Sequence, residues 1–166
     1  MHVKMKKEGW SDKMIAKVDE SLVNARDKDV RFFRVDEFKR NIKRVDEFST
    51  SCGFCNKQKI DVAETVESIG EAIDVPGGKR RSYDKLISRL SVHMRKTHGF
   101  YPPFYFSYLY SFLGIVAGAF IGYLMFLIIP ANPETMFSIG FASFLVAGYI
   151  WGSRKDHKIR FGNRLM

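Results

Sequence analysis

The sequence predicts an all-α protein in two parts: a helical domain, then a two-helix transmembrane hairpin. Three observations predict it. Apolar residues recur at helical spacing through most of the first hundred positions. Residues 97–133 contain no Asp, Glu, Lys or Arg, and after Glu134 residues 135–153 are again uncharged. A hydrocarbon core about 30 Å thick needs roughly 20 apolar helical residues, which the first stretch exceeds and the second just meets. The predicted spans are therefore about 103–129 and 135–153. A length of 166 residues suits one small domain plus such an anchor.

In chain order, residues 1–50 read as N-terminal amphipathic helices. Residues 1–12 (MHVKMKKEGWSD) lack the continuous apolar core of a signal peptide, so the domain is expected to stay on the cytoplasmic side. Ser11 fits a helix N-cap, with Trp10 and Ile15 as a hydrophobic staple. Met14, Ile15, Val18 and Leu22 continue a helical stripe to about residue 25. Its polar face carries both signs of charge, which favours a helix packed on the domain over one lying on lipid. Residues 27–29 read as a break. An echo follows, RVDEF at 34–38 and again at 44–48. Val35, Phe38, Ile42 and Val45 then fall on one face of a second helix, which Ser49, Thr50 and Ser51 end.

Residues 51–99 read as a helical hairpin. One helix is expected over about 56–75, with Ile60, Ala63, Val66, Ile69 and Ile73 facing inward. Pro76, Gly77 and Gly78 make a turn. The returning helix, about 82–97, turns Tyr83, Leu86, Ile87, Leu90 and Met94 inward. The first helix is acidic and the second basic, which favours their pairing although exposed ion pairs contribute little.

This hairpin carries the chemistry. Cys52 and Cys55 form C-x2-C before the first helix; His93 and His98 form H-x4-H at the end of the second. At about 1.5 Å per residue each helix is roughly 25–30 Å long, so antiparallel packing brings the start of one beside the end of the other. Two thiolates and two imidazoles are the ligand set of a closed, tetrahedral structural Zn²⁺ site. A five-residue step turns about 140° on an α-helix, so His93 and His98 cannot share a metal from unbroken α-helix. Gly99 is expected to end the helix and let its last turn tighten. Structural zinc would also compensate for a small core.

The segment LSVHMRKTH over 90–98 resembles the helical tail of a C2H2 zinc finger. That resemblance implies metal ligation by His93 and His98. It implies no DNA recognition, because 37 residues separate Cys55 from His93 and no β-hairpin is expected among them. The segment VDEFSTSCGFCNK over 45–57 also resembles a thioredoxin active-site turn, which implies a membrane-tethered thiol–disulfide oxidoreductase as the rival. A thioredoxin fold needs flanking strands and a downstream cis-proline, and Pro76 comes too early for that role.

The anchor, 101–153, opens with an aromatic collar (Phe104, Phe106, Tyr101, Tyr105, Tyr108, Tyr110) and a stiff Pro102-Pro103 lead-in. Gly114, Gly118 and Gly122 repeat every four residues, and the second span offers Gly140, Ser143, Ala147, Gly148 and Gly152. Such small residues let helices approach, either closing the hairpin on itself or receiving a partner subunit. Neither predicted span holds an ionisable side chain, which disfavours a transporter.

Charge sets the orientation. The net charge is +9; residues 79–96 hold seven basic side chains against one Asp, and 154–164 hold five against one. The connection at 130–134 has none. Basic flanks stay cytoplasmic, so both termini are expected inside a plasma (inner) membrane, crossed twice, with 154–166 as a basic cytoplasmic tail. These clusters suit anionic lipid headgroups better than nucleic acid. With no triad, phosphate loop or carboxylate pair, and His2 and His157 isolated, the sequence predicts a non-enzymatic accessory or assembly subunit of a larger membrane complex. Its partners would be other membrane subunits or copies of itself. A membrane-anchored nucleic-acid or regulatory binder is the third class.

Overall fold

A computed structural model describes residues 9–128 and 133–166. All regular elements among them are helical, and they divide into a first unit ending at Gly99 and a second, Phe100–Leu165. Most of the 130–134 connection and of the predicted leaderless N-terminus lie outside the described residues.

The first unit contains α1 (Trp10–Ser21), α2 (Asp27–Phe32), α3 (Val35–Phe48), α4 (Gly53–Glu67), α5 (Ile69–Asp74) and α6 (Gly78–His93). Helix α3 has the pattern its sequence promised: Val35, Phe38, Ile42 and Val45 are fully buried. Val62, Val66 and Ile69 from α4–α5 and Tyr83, Leu86, Ile87 and Leu90 from α6 are buried as well. A side chain of this size gains about 1.5–3 kcal/mol on full burial. The Tyr83 hydroxyl, carried into this core, donates to the Phe33 carbonyl at 2.7 Å, and burial pushes its pKa up. Glu37 is buried too, and is compensated: Arg34 donates two bonds to its carboxylate at 2.9 and 2.5 Å, and Ser91 Oγ a third at 2.6 Å.

Several expectations are corrected. The first helix starts at Trp10, capped by Gly9, not at Ser11; the Ser11 N–H instead donates to Asp46 Oδ2 of α3 at 3.1 Å. Residues 27–32 form a short helix, so the expected break at 27–29 is really a pair of turns flanking α2. The helix expected over 56–75 begins at Gly53 and breaks at Ser68; the Arg80 guanidinium caps the C-terminal end of the second piece, donating to the Ala72 and Ile73 carbonyls at 2.9 and 2.6 Å. Ile60 is 75% exposed, not inward. The buried row of α4 runs Cys55, Gln58, Val62, Val66, so Cys55 sets the helix's phase and places Ile60 outside it.

The second unit is an antiparallel pair, α7 (Tyr105–Ile128) and α8 (Pro133–Phe161). Glycine sets the seam. A Cβ on Gly114 would lie 2.5 Å from the Phe144 carbonyl oxygen, and one on Gly118 or Gly122 would meet Phe141, Phe144 or Phe137 at 3.0–3.1 Å. From α8, Gly148 rests on the Tyr110 backbone and Gly152 on that of Phe106 and Ser107. The register thus advances by one turn per contact along both helices.

Asp156 closes the open end of this pair. It is 6% exposed and accepts the Phe106 N–H at 3.0 Å, the Ser107 N–H at 2.7 Å and the Ser107 hydroxyl at 2.6 Å. Those N–H groups belong to the first turn of α7 and have no partner inside their own helix. A carboxylate there also meets the positive end of the helix dipole. Residues 154–161, predicted as a tail, continue α8; the helix then ends in a Schellman arrangement with Asn163 left-handed (φ 52°) and Arg164 N–H bonded to the Ile159 carbonyl at 3.1 Å.

Among the described residues one helix, α7, is long and apolar enough to cross a membrane, where the sequence called for two. Only 17% of its most apolar window is buried, so it does not have the packing of a soluble core helix. Helix α8 differs because Glu134 lies in its first turn and its last turns are charged, leaving an uncharged stretch that barely reaches the required length.

Candidate metal centre

The four residues singled out by sequence come together. Cys52 is the N-cap of α4, in extended backbone conformation. Cys55 follows one turn later and is fully buried. His93 ends α6, and the five residues Met94–His98 form a π-helical turn. Their ligand atoms all lie within 4.8 Å of one another and could hold a metal ion. Cys52 Sγ is 3.4 Å from His93 Nε2, and Cys55 Sγ is 3.6 Å from His98 Nε2. Tetrahedral zinc with bonds of about 2.3 Å to sulfur and 2.0–2.1 Å to nitrogen has S···N edges of about 3.5 Å. These two S···N distances fall at that edge length.

The π turn corrects the expectation that the helix end tightens. It widens instead. Gly99 N–H bonds to the Met94 carbonyl, a five-residue step, and an i→i+5 ladder brings residue i+5 round by nearly a whole turn. His98 thereby comes to the same side as His93, their rings 5.1 Å apart. Gly99 then leaves the helix at φ +70°, a left-handed conformation that glycine adopts without strain.

A shell of aromatic rings fixes the imidazoles. Phe54 stacks on His93 at 4.0 Å and Phe48 on His98 at 3.9 Å. The Thr97 hydroxyl lies 3.4 Å from His93 Nδ1, so it can take the Nδ1 proton as a partner and leave Nε2 for the metal. Sequence reasoning missed these three residues. Phe54 lay inside the CGFC motif, but an aromatic between two cysteines reads as core until the histidine above it is placed.

The thiols are unlike. Backbone hydrogen bonding at the α4 N-terminus, acting against burial, holds the Cys52 thiol below its ordinary pKa. Burial, reinforced by hydrogen bonding and charge from Cys52, pushes Cys55 up to about 12. Burial and then the neighbouring His98 lower His93, favouring the neutral imidazole that a metal requires. All four positions of a tetrahedral ion here would be filled by protein, leaving none for water or substrate.

Compared with known proteins, the chain matches no family model, no curated protein and no solved structure.

Proposed function

We propose that this is a non-enzymatic membrane subunit whose cytoplasmic helical unit is held together by one structural Zn²⁺ on Cys52, Cys55, His93 and His98. The observation that carries this is the pairing of each sulfur with one Nε2 at tetrahedral-edge distances. A closed ligand sphere suits folding and assembly rather than turnover. Helix α7 crosses a plasma (inner) membrane and α8 crosses beside it. Supporting the second span, α8 follows α7 along the glycine seam and turns Ile139, Val146, Ile150 and Trp151 outward, each at least 45% exposed. The basic flanks keep both termini in the cytoplasm.

The role we propose for these parts is an accessory or assembly one in a larger membrane complex. The glycines that could have received a partner are occupied within the hairpin, so association would use the outer faces of α7 and α8. Blue-native electrophoresis of the full chain from native membranes tests this. The wild-type chain is expected in an assembly well above its own 19.2 kDa, and Cys55→Ser is expected to leave the chain in the membrane but outside that assembly. A wild-type chain running alone would sink the subunit role.

One second reading has a specific observation in its favour. Cys52 at a helix N-cap with Cys55 three residues on is the layout of a thiol–disulfide oxidoreductase. Against it, both imidazoles direct Nε2 at the sulfurs. Absence of thiol-dependent reductase activity from the wild-type chain would exclude the redox role, whereas such activity surviving in His93→Ala would establish it.

A further inference from the structure

The C-terminal turns of α8 carry a cationic face that the metal unit and the glycine seam do not use. Trp151, Arg154, Lys155 and Lys158 fall at helical steps of three and four, so they share one side. With Tyr110 of α7 and His157 they line an open cavity of about 990 Å³. The only acidic residue after Glu134 is Asp156, and its carboxylate is turned inward and consumed by the α7 amides. Among the described residues, no ion pair involves Arg154, Lys155 or Lys158. Lys155 is held in place differently, its Nζ 4.3 Å above the Phe106 ring and 3.2 Å from the Tyr110 hydroxyl.

Position decides which anion such a face takes. Trp151 is 72% exposed at the boundary between the uncharged stretch of α8 and its basic end. An exposed tryptophan with cations one turn further on is the pattern of a membrane–water interface. A guanidinium and an ammonium four residues apart can grip one phosphate, Arg154 with its planar fork and Lys158 as a point charge. The exposed apolar surface below them would meet acyl chains.

We propose that Trp151, Arg154 and Lys158, with Tyr110, form a binding site for the headgroup phosphate of an anionic phospholipid. The site rests on the membrane placement above, and one experiment separates the two. The chain has two tryptophans, so Trp10→Phe leaves Trp151 as sole reporter. Full-length Trp10→Phe protein is reconstituted in phosphatidylcholine vesicles doped with brominated phosphatidylglycerol or brominated phosphatidylcholine, and Trp151 quenching is read. Phosphatidylglycerol is expected to quench at several-fold lower mole fraction. Adding Arg154→Gln and Lys158→Gln should abolish that preference, at roughly five-fold per basic residue, while quenching by phosphatidylcholine persists. Equal quenching by the two lipids before those substitutions overturns the site but leaves the membrane placement standing. No quenching by either overturns both. Displacement of phosphatidylglycerol by millimolar inorganic phosphate overturns the lipid assignment in favour of a free-phosphate site.

Discussion

The two units solve the same problem, holding helices together, by opposite chemical means. In the first, cohesion is concentrated in side chains: a small aliphatic core, a compensated Glu37, and a cluster of two cysteines and two histidines at one end of a helical hairpin that could hold a metal ion. In the second, cohesion comes from side chains that are missing. Gly114, Gly148 and Gly152 put backbone against backbone, and one carboxylate closes the end. A unit of the first kind fails when a group is removed. One of the second kind fails when a group is added.

That contrast can be broken in order of expected effect. Stripping the metal with a strong chelator, or substituting Cys55→Ser, should unfold most of the first unit, since structural zinc contributes on the order of 10 kcal/mol in small domains. Circular dichroism of the full chain in detergent should then lose the α1–α6 share of its helicity while the hairpin's remains. Loss of the entire signal would show that the units are not independent.

Adding bulk to the seam is next. Gly152→Leu or Gly114→Leu drives a side chain into a carbonyl and should cost about 1–3 kcal/mol or more of hairpin stability. Metal content should stay unchanged, which thermal unfolding in detergent beside metal analysis would check. The same substitution at Gly53, where an added Cβ meets nothing within 4 Å, should leave the hairpin's unfolding unaltered.

Asp156→Ala removes the acceptor for two first-turn amides of α7 and should cost about 1–2 kcal/mol of the same transition. Asp156→Asn should recover part of it. Equal stability of all three would show that the cap contributes nothing.

The smallest effect is a pH dependence. Burial raises the Asp46 carboxyl, but hydrogen bonds from Lys59 at 2.7 Å and from Ser11 outweigh it and hold the pKa below the usual value. A depressed carboxylate stabilises the fold above its unfolded pKa of about 3.9, and that contribution is lost as pH falls through the folded pKa. Acid unfolding of Asp46→Asn should accordingly show a shallower limb below pH 4. An unchanged limb would assign acid sensitivity elsewhere.

The Cys52, Cys55, His93 and His98 cluster was legible because residue type and hairpin geometry both pointed to it: sulfur and imidazole have few other reasons to converge. The face of α3 was legible for a similar reason, since four apolar residues at regular steps leave one solution. The π turn was not. Helical propensity carries no mark of where a backbone will widen, and the H-x4-H spacing required only that something change. Ile60 misled because an apolar residue near the right phase reads as core, while the real phase of α4 was set by Cys55. Asp156 was hidden by its basic neighbours, because a cap donated by another helix has no local signature. The predicted second span did not meet the same standard as α7, because its uncharged stretch only just reaches the required length between Glu134 and Arg154.

Metal analysis of the purified full chain, beside Cys52→Ser and His93→Ala, tests the central claim most directly. One zinc per chain, absent from both variants, with X-ray absorption showing two sulfur and two nitrogen neighbours, is the predicted result. A chain free of zinc whose Cys52 and Cys55 cycle between thiol and disulfide would contradict it.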